Sequence, residues 1–155
     1  MSNQDTQNTQ NTASGYFDLH SSGVGYLNRV RLVEPDRAKP FLAVDISALH
    51  GSIDNVEYTR FDCRVSGSAA KDAIMALKDA IEDKNTKVLV GFKLGDLYAE
   101  TFTYKKGEKA GQTGISLKAR LLQVHWAKVN GERIPLPGDE ADEAQNHHQP
   151  AAAAA

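Results

Sequence analysis

"NVEYTRFDCRVSG", residues Asn55 to Gly67, decides how the chain is read. Successive side chains of a β-strand point to opposite faces, so Phe61, Cys63 and Val65 share one face and Tyr58, Arg60, Asp62 and Arg64 the other. The first set suits a core. The second places an aromatic ring among guanidinium groups on the side that an ordinary half-buried strand gives to water.

Strand character extends to both sides. Upstream, "GYLNRVRLVEP" (Gly25 to Pro35) and "FLAVDISALHG" (Phe41 to Gly51) read as two strands joined by the polar turn "EPDRAK", the second with Leu42, Val44 and Ile46 on one face. Downstream, Ala70, Ile74, Leu77 and Ile81 recur at helical spacing, with Ser68 as N-cap and Asn85 as stop. "TKVLVGFKLGDLYAETFTY" then alternates through Val88, Val90, Phe92 and Leu94, with Gly95-Asp96 as a bend or hairpin point. "KKGEKAGQTG" is a loop. "ISLKARLLQVHWAKVNGERI" alternates again and closes at Asn130-Gly131, a hairpin signal. The expected fold is all-β with one helix: a five-stranded OB-fold barrel in the order β-β-β-α-β-β, with an α+β sandwich as the alternative.

Composition bounds the rest. A chain of 155 residues with 41% hydrophobic and 25% charged residues suits one soluble domain. Residues 1–15, rich in Asn, Gln, Thr and Ser, and residues 137–155, acidic and then Ala-rich, are expected to be disordered tails around a domain at 16–136. No apolar run of ~18 residues and no basic, apolar leader is present, so a cytoplasmic protein without membrane association is expected. The lone Cys63 excludes an internal disulfide and fits a reducing compartment. The flanks hold five of the 20 acidic residues and none of the 18 basic ones, which leaves the central segment at +3 and the flanks at −5.

Catalytic motifs are absent. "GEKAGQTG" has only three residues between Gly107 and Gly111 and lacks the Lys-Ser/Thr ending of a phosphate-binding loop. His20, His50 and His125 are scattered, and His147-His148 stands in the tail without other ligands, so no metal or other cofactor is expected. A non-catalytic protein is the expectation.

"GYLNRVRLV", "VEYTRFDCRVSG" and "TKVLVGFKLGDLY" resemble, in order and spacing, stretches of bacterial single-stranded DNA-binding proteins. "YFDLHSSGVGYLNR", "FKLGDLY" and "KGEKAGQTGISLKARLL" more specifically resemble a family of replication proteins from integrative and conjugative elements, over roughly residues 16–130. The resemblance implies that Glu57, Tyr58, Thr59 and Arg60 match an acidic residue, a base-stacking aromatic, a polar residue and an arginine. It puts a second stacking ring at or beside Tyr98. It also implies replication or recombination proteins as partners, although the tail keeps only the acidic run and lacks the apolar tip that recruits them.

Independently of any resemblance, a sequence-tolerant binder of single strands needs flat rings beside a cationic groove. Tyr58 with Arg60 and Arg64, Tyr98 with Lys93, Tyr104 with Lys105, Lys106 and Lys109, and Lys118 with Arg120 combine these ingredients, whereas Arg29 and Arg31 carry a weaker signal. The expected function is coating of single-stranded DNA in replication, transfer or recombination of a mobile element. An OB-type protein-interaction subunit and an RNA-binding OB domain are the alternatives. A homo-oligomer, dimer or tetramer, is expected from the further apolar residues Leu122, Val124 and Trp126 on the last strand.

Overall fold

The computed structural model describes residues 15–138. Both tails expected to be disordered, with the acidic run of the second, fall almost wholly outside the described residues. The elements are β1 (His20–Val33), β2 (Phe41–Ser52), β3 (Asn55–Val65), α1 (Ser68–Glu82), β4 (Val88–Thr103), β5 (Thr113–Val129) and β6 (Glu132–Ile134). Six strands replace the five expected, because the chain turns at Asn130-Gly131 and pairs three more residues with β5.

The sheet runs β3-β2-β1-β4-β5-β6 with antiparallel neighbours, and a parallel pairing of β3 with β5 closes the first five of these into a ring, with β6 outside it. That ring has one inside. Val44, Ile46, Cys63, Val65, Val90, Leu94 and Leu121 fill it with little or no exposure, and Phe61 packs against them half-buried. The helix lies on β1, β4 and β5 and adds Ala70, Ile74, Leu77 and Ile81, the four residues its periodicity marks, together with Ala73.

Local chemistry shifts several boundaries. The N-cap is Gly67, at φ 90°, and Ser68 is already helical, so no side chain caps the helix. The helix stops at Asp83 and not Asn85: the Asp83 carboxylate accepts from the Asn85 N–H (3.0 Å) and the Thr86 hydroxyl (2.7 Å) and folds the chain out of the helix. Gly95-Asp96 is a β-bulge inside one continuous strand, with Asp96 at φ 52°, and the chain does not reverse there. A second bulge between Asn28 and Arg31, with Arg29 at φ 50°, inserts one residue into β1. Each extra residue exchanges the two faces of its strand beyond it. Tyr26, Asn28 and Arg31 therefore share the outer surface while Leu27 and Val30, three apart, are both buried.

Trp126 lies across Gly91, where an added Cβ would stand 2.4 Å from the indole Nε1. Part of the apolar surface expected to serve oligomerisation is thus used within the chain.

Cys63 is fully buried; burial, helped by the nearby Asp62 and Asp45 charges, pushes its thiol up to about 12. An aromatic disulfide reagent at pH 8 should leave native protein unlabelled and titrate one thiol per chain in denaturant. Prompt labelling of native protein would contradict this placement.

Candidate nucleic-acid interface

The outer surface is built by register. Going down β3, Tyr58, Arg60, Asp62 and Arg64 stand opposite Leu49, Ser47, Asp45 and Ala43 of β2. Tyr26 of β1 faces Ser47 from the other side. Tyr58 is 57% exposed, and its ring centroid lies 6.5 Å from that of Tyr26 at an interplanar angle of 41°. Both rings border a cleft of about 400 Å³ whose rim carries Lys84 and Lys87 from the α1–β4 loop.

A second cleft, of about 370 Å³, opens further along the same surface among Phe41, Arg64, Asp62, Arg31, Tyr98 and Lys118. The Arg64 guanidinium sits 4.3 Å over the Phe41 ring, a cation–π contact that fixes it as a flat wall. Tyr98, exposed, stands in register with Lys118 because the Gly95–Tyr98 bulge turns it outward.

Between the clefts runs a ladder of charge. Asp45 is only 2% exposed, although it belongs to the outward row of β2, because Arg29 (2.8 Å) and Arg31 (3.1 Å) cover it. Arg31 also reaches Asp62 at 2.5 Å, Asp62 accepts from Lys118 at 2.5 Å, and Lys118 lies 3.6 Å from Glu100. Burial alone would push the Asp62 carboxyl up; hydrogen bonds from Lys118 and Arg31, with their charges, outweigh it and hold the group below its ordinary value. Burial likewise works against the charged form of Lys118, but Asp62 and Glu100 keep its pKa above the usual lysine value. The Arg29 guanidinium is raised by its hydrogen bond to Asp45.

The residues picked from the sequence are thus divided among several places. Tyr58 and Arg60 stand together at the first cleft's side of β3, and Arg64, Tyr98 and Lys118 meet at the second cleft. Lys118 is committed to Asp62, and Arg120 pairs with Asp96 at 2.9 Å, so neither is a free cation. Tyr104, Lys105, Lys106 and Lys109 occupy the tip of the β4–β5 hairpin, where Tyr104 packs edge-on against Phe102 (4.8 Å) and Lys109 lies 5.6 Å over the Tyr104 ring. Lys93, opposite Ser22 and Gln123, lines neither cleft.

Tyr26, Phe41, Lys84, Lys87 and Asp45 also belong to this surface, and the motifs of the sequence do not mark them. Asp45 had a readable signal, since an acid within "FLAVDISAL" needs a cation if its strand is covered. The others depend on which strands become neighbours.

No curated protein and no solved structure matches the chain. A family model does match, aligning with residues 10–142, and over that span, most of its length, the chain belongs to the family described as "Protein of unknown function (DUF3577)".

Proposed function

We propose that this protein is a non-catalytic, OB-type single-stranded DNA-binding protein that coats exposed strands during replication, transfer or recombination of an integrative or conjugative element. The ring of β1, β2, β3, β5 and β4, with its helix between β3 and β4, supports reading the domain as an OB-fold barrel. Such barrels bind oligonucleotides on the face of strands 2 and 3 and on the loops after strands 1 and 4. The observation that carries the proposal is the outer row of β3: an open Tyr58 ring beside Arg60, which makes no ion pair among the described residues. Stacking on such a ring tolerates any base, and a guanidinium beside it meets phosphate. The element context rests on the sequence resemblance.

Fluorescence anisotropy with labelled single-stranded DNA, duplex DNA and RNA, each at about 50 and 200 mM salt, tests the proposal. Single-stranded DNA should bind tightest and weaken with salt. Binding confined to RNA would assign an RNA partner, and failure to bind any of the three would favour a polypeptide on the same face. The exposed Ile53 and Val56 at the β2–β3 turn are what support that second reading.

Several copies on one strand would add affinity through linkage, and the exposed Phe102 and Ile115 of the β4–β5 hairpin offer apolar surface for association. Light scattering at micromolar concentration should return a multiple of 16.9 kDa; a monomer mass would contradict this.

A further inference from the structure

We infer that Tyr26 and Tyr58 form a two-ring clamp for one unpaired base of a single-stranded nucleic acid, with the neighbouring phosphates held by Lys84 and Lys87. The inference rests on the binding role proposed for the β3 face and adds a residue, a loop and a ligand geometry to it.

The two rings meet on a diagonal across β2. Tyr26 on β1 stands opposite Ser47, whose partner on β3 is Arg60, while Tyr58, opposite Leu49, lies two residues along β3; Ser47 lines the cleft with both rings and is small enough to leave a notch beside them. Asn28 reaches into the same notch, its side-chain amide 3.4 Å from the Ser47 hydroxyl, so a donor and an acceptor face whatever enters. Aromatic carbons stack at about 3.5 Å, so a base held between two rings needs about 7 Å between their centres. The observed 6.5 Å falls just short of that, at a tilt of 41°. Neither phenol makes a hydrogen bond among the described residues, so a modest rotation of the exposed Tyr58 ring opens the gap.

Charge selects the occupant. Lys84 and Lys87 form no ion pair among the described residues, and the nearby acids are engaged: Glu82 with Lys78 at 2.8 Å, Asp83 with Asn85 and Thr86. The loop carrying the lysines is itself fixed. Its Lys87 N–H donates to the Asn130 side chain at 3.0 Å, and the Asn130 N–H returns to the Lys87 carbonyl at 2.9 Å. Two cations without an ion-pair partner among the described residues, on an anchored loop beside two stacking rings, match one nucleotide flanked by phosphates.

The test is a titration of oligodeoxythymidine, carrying a terminal fluorophore, against the full chain and its Tyr26→Ala, Tyr58→Ala, double, Tyr26→Phe and Lys84→Gln/Lys87→Gln variants. Tyr26→Ala should lose about 5- to 50-fold in affinity, Tyr26→Phe should keep it, and the double alanine variant should lose less than the product of the single losses, because both rings hold one base. The lysine pair should lower the salt slope by about 1.4. Where Tyr26→Ala fails to fold, Tyr26→Leu keeps apolar bulk over Ser47 and carries the same expectation. If the parent binds no single strand of either sugar, the proposed function falls and the clamp with it. If Tyr58→Ala weakens binding while the Tyr26 variants bind like the parent, the clamp alone is overturned. Losses that simply multiply would put the rings on separate bases and overturn it equally, and loss in Tyr26→Phe would assign the hydroxyl and not the ring.

Discussion

Arg31→Met should destabilise the protein by about 2–4 kcal/mol, read as a lower midpoint in urea denaturation at unchanged slope. Methionine keeps the aliphatic length but removes the cation that touches both Asp45 and Asp62. Asp45 is then a buried carboxylate with one partner, Arg29, whose side chain is 59% exposed and spends much of its charge on water. Breaking a buried pair from one side costs more than the pair is worth, because the remaining charge stays desolvated. Removing the acid instead should cost less: Asp45→Asn leaves Arg29 solvated and Arg31 still bound to Asp62. Arg31→Met with Asp45→Leu should therefore recover most of the loss. If the single Arg31 variant matched the parent, the ladder would contribute nothing to the fold.

The same ladder fixes the sign of a pH effect. Asp62 titrates below its ordinary value in the folded chain, so its contribution is present above the unfolded carboxylate value and disappears as pH falls through the folded one. Lys118, raised, contributes fully below its unfolded value and loses that contribution only as pH rises through its folded one. Stability from the pair is accordingly whole at neutral pH. The deficit of Arg31→Met should be largest there and shrink on acidification, since protonated Asp62 no longer needs the missing cation.

Sequence period made the inside of this molecule legible and left much of the outside hidden. Ala70, Ile74, Leu77 and Ile81, or Cys63 and Val65, declare their burial because one repeat length decides it locally. The outer face is assembled from partners far apart in the chain: Arg29 with Asp45 across 16 positions, Asp62 with Lys118 across 56. Bulges also break the period, one in β1, one in β4 and two register shifts between β4 and β5 at Gly91/Phe92 and Lys93/Leu94. Because a residue is inserted near Arg29 and another near Asp96, simple alternation assigns the later parts of β1 and β4 to the wrong face. Lys118 and Arg120 look in sequence like free groove cations, and only the register reveals Asp62 and Asp96 beside them.

That redistribution of charge sharpens the expectation for the β3 row. Tyr58→Ala should lower single-strand affinity by about 1–3 kcal/mol, the worth of one base–ring stack, and leave the salt dependence almost unchanged, because a ring releases no counterions. Arg60→Ala should weaken binding and reduce the salt slope by about 0.7, the share of one phosphate on a single strand. Arg64 is held over Phe41 and Lys118 is bound to Asp62, so Lys118→Ala should change the slope less than Arg60→Ala does and instead cost folding stability. Neither Tyr58→Ala nor Arg60→Ala should unfold the chain, since both side chains stand on the surface opposite Cys63 and Val65. Anisotropy titrations at several salt concentrations separate the two signatures. A Tyr58→Ala protein that stays folded and binds oligonucleotides as tightly as the parent would remove stacking from this face, and the ring would belong to a contact with another protein.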